Sequence, residues 1–179
     1  MYVNRIFASS MQFLPKWFVK PFAKPYVAGL KTDEVLNVVK KLNSEGFSAT
    51  IDILGEFVNT QSEALDVKNQ YAELIRLINK KSLDSTVSVK LTHMGLELDF
   101  DYCKKLMIEL TEKAKKFNVG ITIDMENSPY TDNIYEIYKD SLKTFDKVGA
   151  VMQAYLYRSI NDLRALNNSK LFLRVCKGI

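Results

Sequence analysis

Five polar side chains in this 179-residue sequence stand where chemistry would need them: Asp52, Lys90, Asp124, Gln153 and Arg174, each set in a short apolar run. Two carboxylates, an ammonium, a guanidinium and a carboxamide sum to no net charge, so they could neutralise one another around a polar ligand. A lysine in such company has two uses. Protonated, it anchors an anion such as a carboxylate; deprotonated, it is a nucleophile that forms a Schiff base, as in a barrel lyase. The blander readings are that Asp52 ties down a loop and that Lys90 snorkels from a rim. Other chemistries lack their parts. His93 is the only histidine, so a zinc site or a Ser-His-Asp triad would hang on it alone, and no G-x-S-x-G elbow occurs. His93 therefore reads as an ordinary rim residue and no metal is expected. Cys103 and Cys176 form no motif, which suits a reducing compartment better than a disulfide scaffold.

Those residues need elements to hold them, and the chain supplies alternating ones. Thr32-Asp33-Glu34 opens an apolar helical period that Gly46 closes, and 47–54 reads as a strand. Thr60-Gln61-Ser62-Glu63 is a capping box before a second helix, with a strand over 86–92 after it. A helix from about Asp99 carries Phe100, Cys103, Leu106, Met107 and Leu110 on one side; a strand over 119–125 follows. A helix holding Ile134, Ile137, Tyr138 and Leu142 leads to a strand over 149–154. Ser159-Ile160-Asn161-Asp162 is a second capping-box pattern, and the last strand is 171–176. The stretch 113–116 reads as a solvated helix face.

Strands alternating with helices predict an α/β protein with a parallel sheet, either doubly wound or a (βα) barrel. No G-x-G-x-x-G follows the first strand, and the seven glycines sit singly at element boundaries, which favours the barrel. Side chains alternate along a strand. Each strand then places one polar residue on a face near its C-terminal half, which a sheet buried on both sides tolerates poorly and a barrel mouth accepts.

No apolar run approaches the roughly 18 residues of a membrane span. The formal charge of +4 is local: Arg5, Lys16, Lys20, Lys24 and Lys31 precede the first acid, Asp33, leaving twenty of the 25 bases against all 21 acids beyond it. Nucleic-acid binding is thus not expected. Residues 1–30 also hold Phe7, Phe13, Trp17, Phe18 and Phe22, so they read either as a membrane-surface helix or targeting peptide, or as an arm packed on the domain. Pro15, Pro21 and Pro25 would break one long helix.

Five motifs, in order and suitably spaced, resemble those of proline dehydrogenases, preceded by a similar opening segment, Tyr26-Val27-Ala28-Gly29. They are Asp52-Ile53-Leu54-Gly55-Glu56, Ser88-Val89-Lys90-Leu91-Thr92, Ile123-Asp124-Met125-Glu126-Asn127-Ser128 (with Asn127 where Asp is usual), the stretch from Val151 to Arg158, and Leu173-Arg174-Val175-Cys176-Lys177-Gly178. The resemblance implies a (βα)8-type barrel, truncated here after about five βα units, with residues 1–30 as a basic, aromatic arm and 31–179 as the partial barrel. It implies FAD-dependent oxidation of L-proline to Δ1-pyrroline-5-carboxylate, by hydride transfer to flavin N5, with electrons passed to a quinone. By carry-over, Lys90 contacts the proline carboxylate and Asp124 and Arg174 are catalytic, Asp124 organising the pocket and Arg174 beside N5. Met125, Gln153, Arg174, Cys176, Lys177 and Gly178 bind the cofactor. A cytoplasmic protein is implied, with peripheral contact at the inner face of a membrane left open. A whole barrel takes roughly 250 residues, so the chain alone is expected to hold FAD weakly or not at all, and a non-enzymatic fragment needing a complementary chain is the other reading.

Overall fold

A computed structural model describes residues 27–55, 57–166 and 171–178. The arm expected over 1–30 falls almost wholly outside them. Among the described residues five helices and five strands alternate: α1 (Thr32–Ser44), β1 (Ala49–Asp52), α2 (Gln61–Lys80), β2 (Ser85–Val89), α3 (Phe100–Phe117), β3 (Ile121–Ile123), α4 (Thr131–Thr144), β4 (Val148–Gln153), α5 (Ser159–Ala165) and β5 (Leu173–Cys176). Single 3₁₀ turns over Thr92–Met94 and Ser128–Tyr130 follow β2 and β3.

Local chemistry sets the helix ends. The Thr60 hydroxyl accepts from the Glu63 N–H at 3.2 Å, while the Glu63 carboxylate reaches the N–H of Asn59 at 2.7 Å, one residue short of the reciprocal capping-box partner. Asp99 caps α3 through the N–H of Tyr102, and Asn118 closes that helix with φ 56°. The second expected box does not form. Arg158 is the N-cap of α5, because the Ser159 hydroxyl turns inward to donate to the Gln153 carbonyl at 2.6 Å. Asp162 pairs instead with the Arg158 side chain at 2.7 Å.

All four strand pairings are parallel, and the order is β1-β2-β3-β4-β5. A doubly wound sheet would reverse its order at a switch point. This one does not, so the right-handed crossovers stack every helix on the same face, and the sheet curls into a half-barrel. The registers Asp52↔Ser88, Ser88↔Thr122 and Thr122↔Gly149 align one row on the concave face; Val151↔Arg174 belongs to the next row and Gln153↔Cys176 to the one above. The other face carries Ile51, Val87, Val89, Ile121, Ile123 and Ala150, all buried under the helices. Leu74, Ile75, Leu106, Leu110, Ile134 and Ile137 meet them there.

The paired strands are shorter than the apolar runs at 47–54, 86–92 and 119–125. Leu91 and Met125 remain buried past the ends of β2 and β3. Contact with the helices keeps such residues inside after the ladder has stopped, so hydrophobicity runs on where pairing does not.

Candidate functional site

The concave face gathers four of the five polar residues into one bonded cluster at the C-terminal ends of the strands. Lys90 Nζ lies 2.7 Å from Asp52 Oδ2 and 3.2 Å from Asp124 Oδ2. Arg174 Nη2 lies 2.7 Å from Asp124 Oδ1, and the Ser88 hydroxyl donates to the same oxygen at 2.6 Å. Asp124 thus receives donors from β2, from the residue just past its end, and from β5. Burial alone would pull the Lys90 ammonium down. The Asp52 hydrogen bond and the charges of Asp124 and Asp52 outweigh it, and Lys90 ends above the ordinary lysine value. The Arg174 side chain is 48% exposed against 14% for Asp124. The cluster therefore offers a guanidinium outward from a carboxylate held within.

Gln153, at the end of β4, is buried, and its Nε2 stands 3.5 Å from the carbonyl of Met125. The Met125 side chain is also buried, and parity puts it on the helix-facing side, so Met125 meets the concave face through its backbone. Cys176 and Lys177 extend the β4–β5 ladder: Ala154 N–H donates to the Cys176 carbonyl at 2.8 Å and Tyr155 N–H to that of Lys177 at 3.0 Å. Gly178 has φ +97°, and a Cβ there would stand 1.9 Å from Tyr155 Cδ1. His93 lies in the turn after β2, where its ring presses on Gly55; a Cβ on that glycine would stand 2.2 Å from His93 Cε1. Burial lowers the His93 pKa, which fits a packed rim residue.

Two further residues shape the site. Tyr71 reads in sequence as one more apolar position of α2, yet its hydroxyl reaches the Ser88 carbonyl at 2.8 Å and Asp52 Oδ1 at 3.2 Å. Glu126 accepts from the Thr92 N–H at 3.0 Å and from the Thr92 hydroxyl, tying the turn after β2 to the end of β3; burial pushes its carboxyl above the usual range. An acid within an apolar-flanked motif signals the second. Nothing in the helical period signals the first.

A single-wound parallel half-barrel with this mouth can be compared with known proteins. The family model described as proline dehydrogenase matches residues 35–170. The chain belongs to the proline dehydrogenase family. It is 36% identical over 156 residues to "Proline dehydrogenase 1" of Bacillus subtilis subsp. natto, covering 87% of this chain and 52% of that protein. It is 34% identical over 177 residues to "Proline dehydrogenase 2" of Bacillus subtilis strain 168, covering 97% and 58%. The chain thus spans about half the length of the curated proline dehydrogenases it matches. Its fold resembles part of proline utilization A from Bdellovibrio bacteriovorus, inactivated by N-propargylglycine, with a TM-score of 0.81 at 24% identity over 89% of this chain and 20% of that one. Among the described residues no helix is long and apolar enough to cross a membrane.

Proposed function

We propose that this chain carries the proline dehydrogenase half-site for oxidation of L-proline to Δ1-pyrroline-5-carboxylate, with FAD as cofactor and a quinone as the final acceptor. The observation that carries the reading is the Asp52–Lys90–Asp124–Arg174 cluster at the strand ends of a chain from this family. The residues present fit a flavin. A half-exposed guanidinium and a buried carboxamide face one mouth, and a left-handed glycine lets backbone pack flat against Tyr155.

Lys90 stays protonated between its two carboxylates and would take the proline carboxylate as a third anion. The same protonation disfavours a Schiff-base lyase, which needs a neutral amine. Asp124 holds Lys90 and Arg174 in fixed relation and so organises the pocket floor. Arg174, with Gln153 and the backbone of Met125, Cys176, Lys177 and Gly178, would hold the cofactor. Bound FAD supplies the hydride acceptor. The positive charge of Arg174 would oppose the negative charge that reduction develops, without reorganising at that moment.

The test is the visible spectrum of the purified chain after incubation with FAD and gel filtration. Retained flavin, even at the weak occupancy expected of a half-barrel, that bleaches on adding L-proline and no longer does so in Arg174→Ala is the outcome that supports the reading. A folded chain that keeps no flavin would overturn it for this chain standing alone.

A further inference from the structure

The parallel ladder between β1 and β2 begins with the Ala49 N–H donating to the Asp84 carbonyl, one residue before the partner of Ala49 in register, Ser85. Every second residue of β1 repeats that pattern in a parallel pair. Ile53 N–H should therefore meet the Ser88 carbonyl. It does not: the Tyr71 hydroxyl stands between them, accepting from Ile53 N–H at 3.1 Å and donating to the Ser88 carbonyl at 2.8 Å. One ladder bond has become two with an oxygen inserted. The neighbouring ladder runs on without interruption, since Asp124 N–H still donates to the Val89 carbonyl at 2.9 Å.

The insertion falls beside the charged cluster. Asp52 is the last residue of β1, directly before Ile53, and its Oδ1 lies 3.2 Å from the same hydroxyl while its Oδ2 holds Lys90. Tyr71 is fully buried, so its ring is locked by packing and the hydroxyl has no solvent to turn to. Burial also raises the pKa of this phenol, which keeps its proton available for donation.

We infer that Tyr71 is a positioning residue: its hydroxyl is a spacer built into the β1–β2 ladder that parts the two strands at their C-terminal ends and sets Asp52 against Lys90. Without it, Ile53 and Ser88 would close directly and draw the end of β1 inward, turning the Asp52 carboxylate away from the ammonium. The inference deepens the proposed function in that Lys90 is the carboxylate anchor there, but its geometry and its test need neither flavin nor proline.

The experiment follows the Lys90 ¹³Cε resonance through an alkaline titration in the labelled, full chain. The charged groups around Lys90 are Asp52 on β1, Asp124 and Glu126 at the end of β3, His93 in the following turn and, through Asp124, Arg174 on β5. Tyr71→Phe keeps the ring and removes only the oxygen. The expected result is a lower Lys90 midpoint in Tyr71→Phe, a lower one in Asp52→Asn, and no further fall in the double variant, because both act through one carboxylate. A folded Tyr71→Phe whose Lys90 titrates as in the unaltered chain, while Asp52→Asn shifts it, would sink the idea, since a residue that only fills the core would leave that midpoint alone. Should Tyr71→Phe not fold, the unaltered protein decides. The hydrogen–deuterium isotope splitting at Tyr71 ¹³Cζ should show a hydroxyl proton exchanging at least tenfold more slowly than those of the exposed tyrosines, and exchange as fast as theirs overturns the inference.

Discussion

Lys90 sits 2.7 Å from one carboxylate and 3.2 Å from another, with a quarter of its side chain still open to solvent. Its charge should matter to folding on the order of 1 kcal/mol, between an exposed ion pair and a buried one. The pH dependence has a definite sign. A lysine raised above its unfolded value contributes stability that is fully present below the unfolded value and is lost as pH rises through the folded one. Lys90→Met should therefore melt below the unaltered protein at neutral pH, where it leaves Asp52 and Asp124 facing each other. Denaturant titrations at increasing alkalinity should show that gap closing above the ordinary lysine range. A gap that stayed constant would mean that Lys90 contributes through its hydrocarbon stem and not its charge. Glu126 has the same sign in a lower window: its raised carboxyl favours the folded state protonated, and its contribution weakens as pH climbs from the ordinary glutamate value through the raised one.

At the scale of elements, the end of the β4–β5 ladder depends on one backbone conformation. Gly178 holds φ +97°, outside what most side chains adopt, and the Tyr155 ring covers the place a Cβ would take. Tyr155 is half-exposed and can swing aside, so the clash can be relieved but the backbone strain cannot. Gly178→Ala should cost roughly 1–3 kcal/mol of local strain. Amide exchange at Tyr155, whose N–H donates to the Lys177 carbonyl, should rise while that of Ile121, in the middle of the sheet, stays unchanged. Loss of protection across the whole sheet would instead show that this end is needed for global folding. The helices are less sensitive, since α2, α3 and α4 are joined by apolar packing and by ion pairs such as Lys68–Glu109 and Lys104–Asp140.

For the whole molecule, the half-barrel has two edge strands, β1 and β5, each bonded on one side among the described residues. Parallel edges of this kind invite pairing with another chain. At β5 the invitation is apolar: Phe172 and Val175 are both exposed. Val175 belongs to the helix-facing side of the sheet yet is 63% exposed, because α5 leaves it uncovered. Sedimentation velocity should accordingly show concentration-dependent association. Val175→Lys should shift that equilibrium toward the monomer while changing the melting temperature little. Association unaltered by the lysine would move the contact to the β1 edge, where Leu54 and Phe47 are exposed.

How much of this the chain announces in advance differs by feature. The alternation of elements, the parallel sheet, the barrel in preference to a doubly wound sheet, and one polar residue on a face of each strand near its C-terminal half are all legible in residue order. Period-3.6 and period-2 burial and isolated glycines are local signals, and parity carries a side chain's face along a strand without any knowledge of its neighbours. Three things were decided only in three dimensions. Register chose which carboxylate meets Lys90 and brought Arg174 to Asp124 across fifty residues. A competition for one hydroxyl took Ser159 from its expected cap to the Gln153 carbonyl. Tyr71, indistinguishable in sequence from a core aromatic, entered a ladder between two strands because folding brought α2 over their ends. Sequence determines what a residue can bond and which way it faces; which partner it finds depends on distances that long-range packing alone creates.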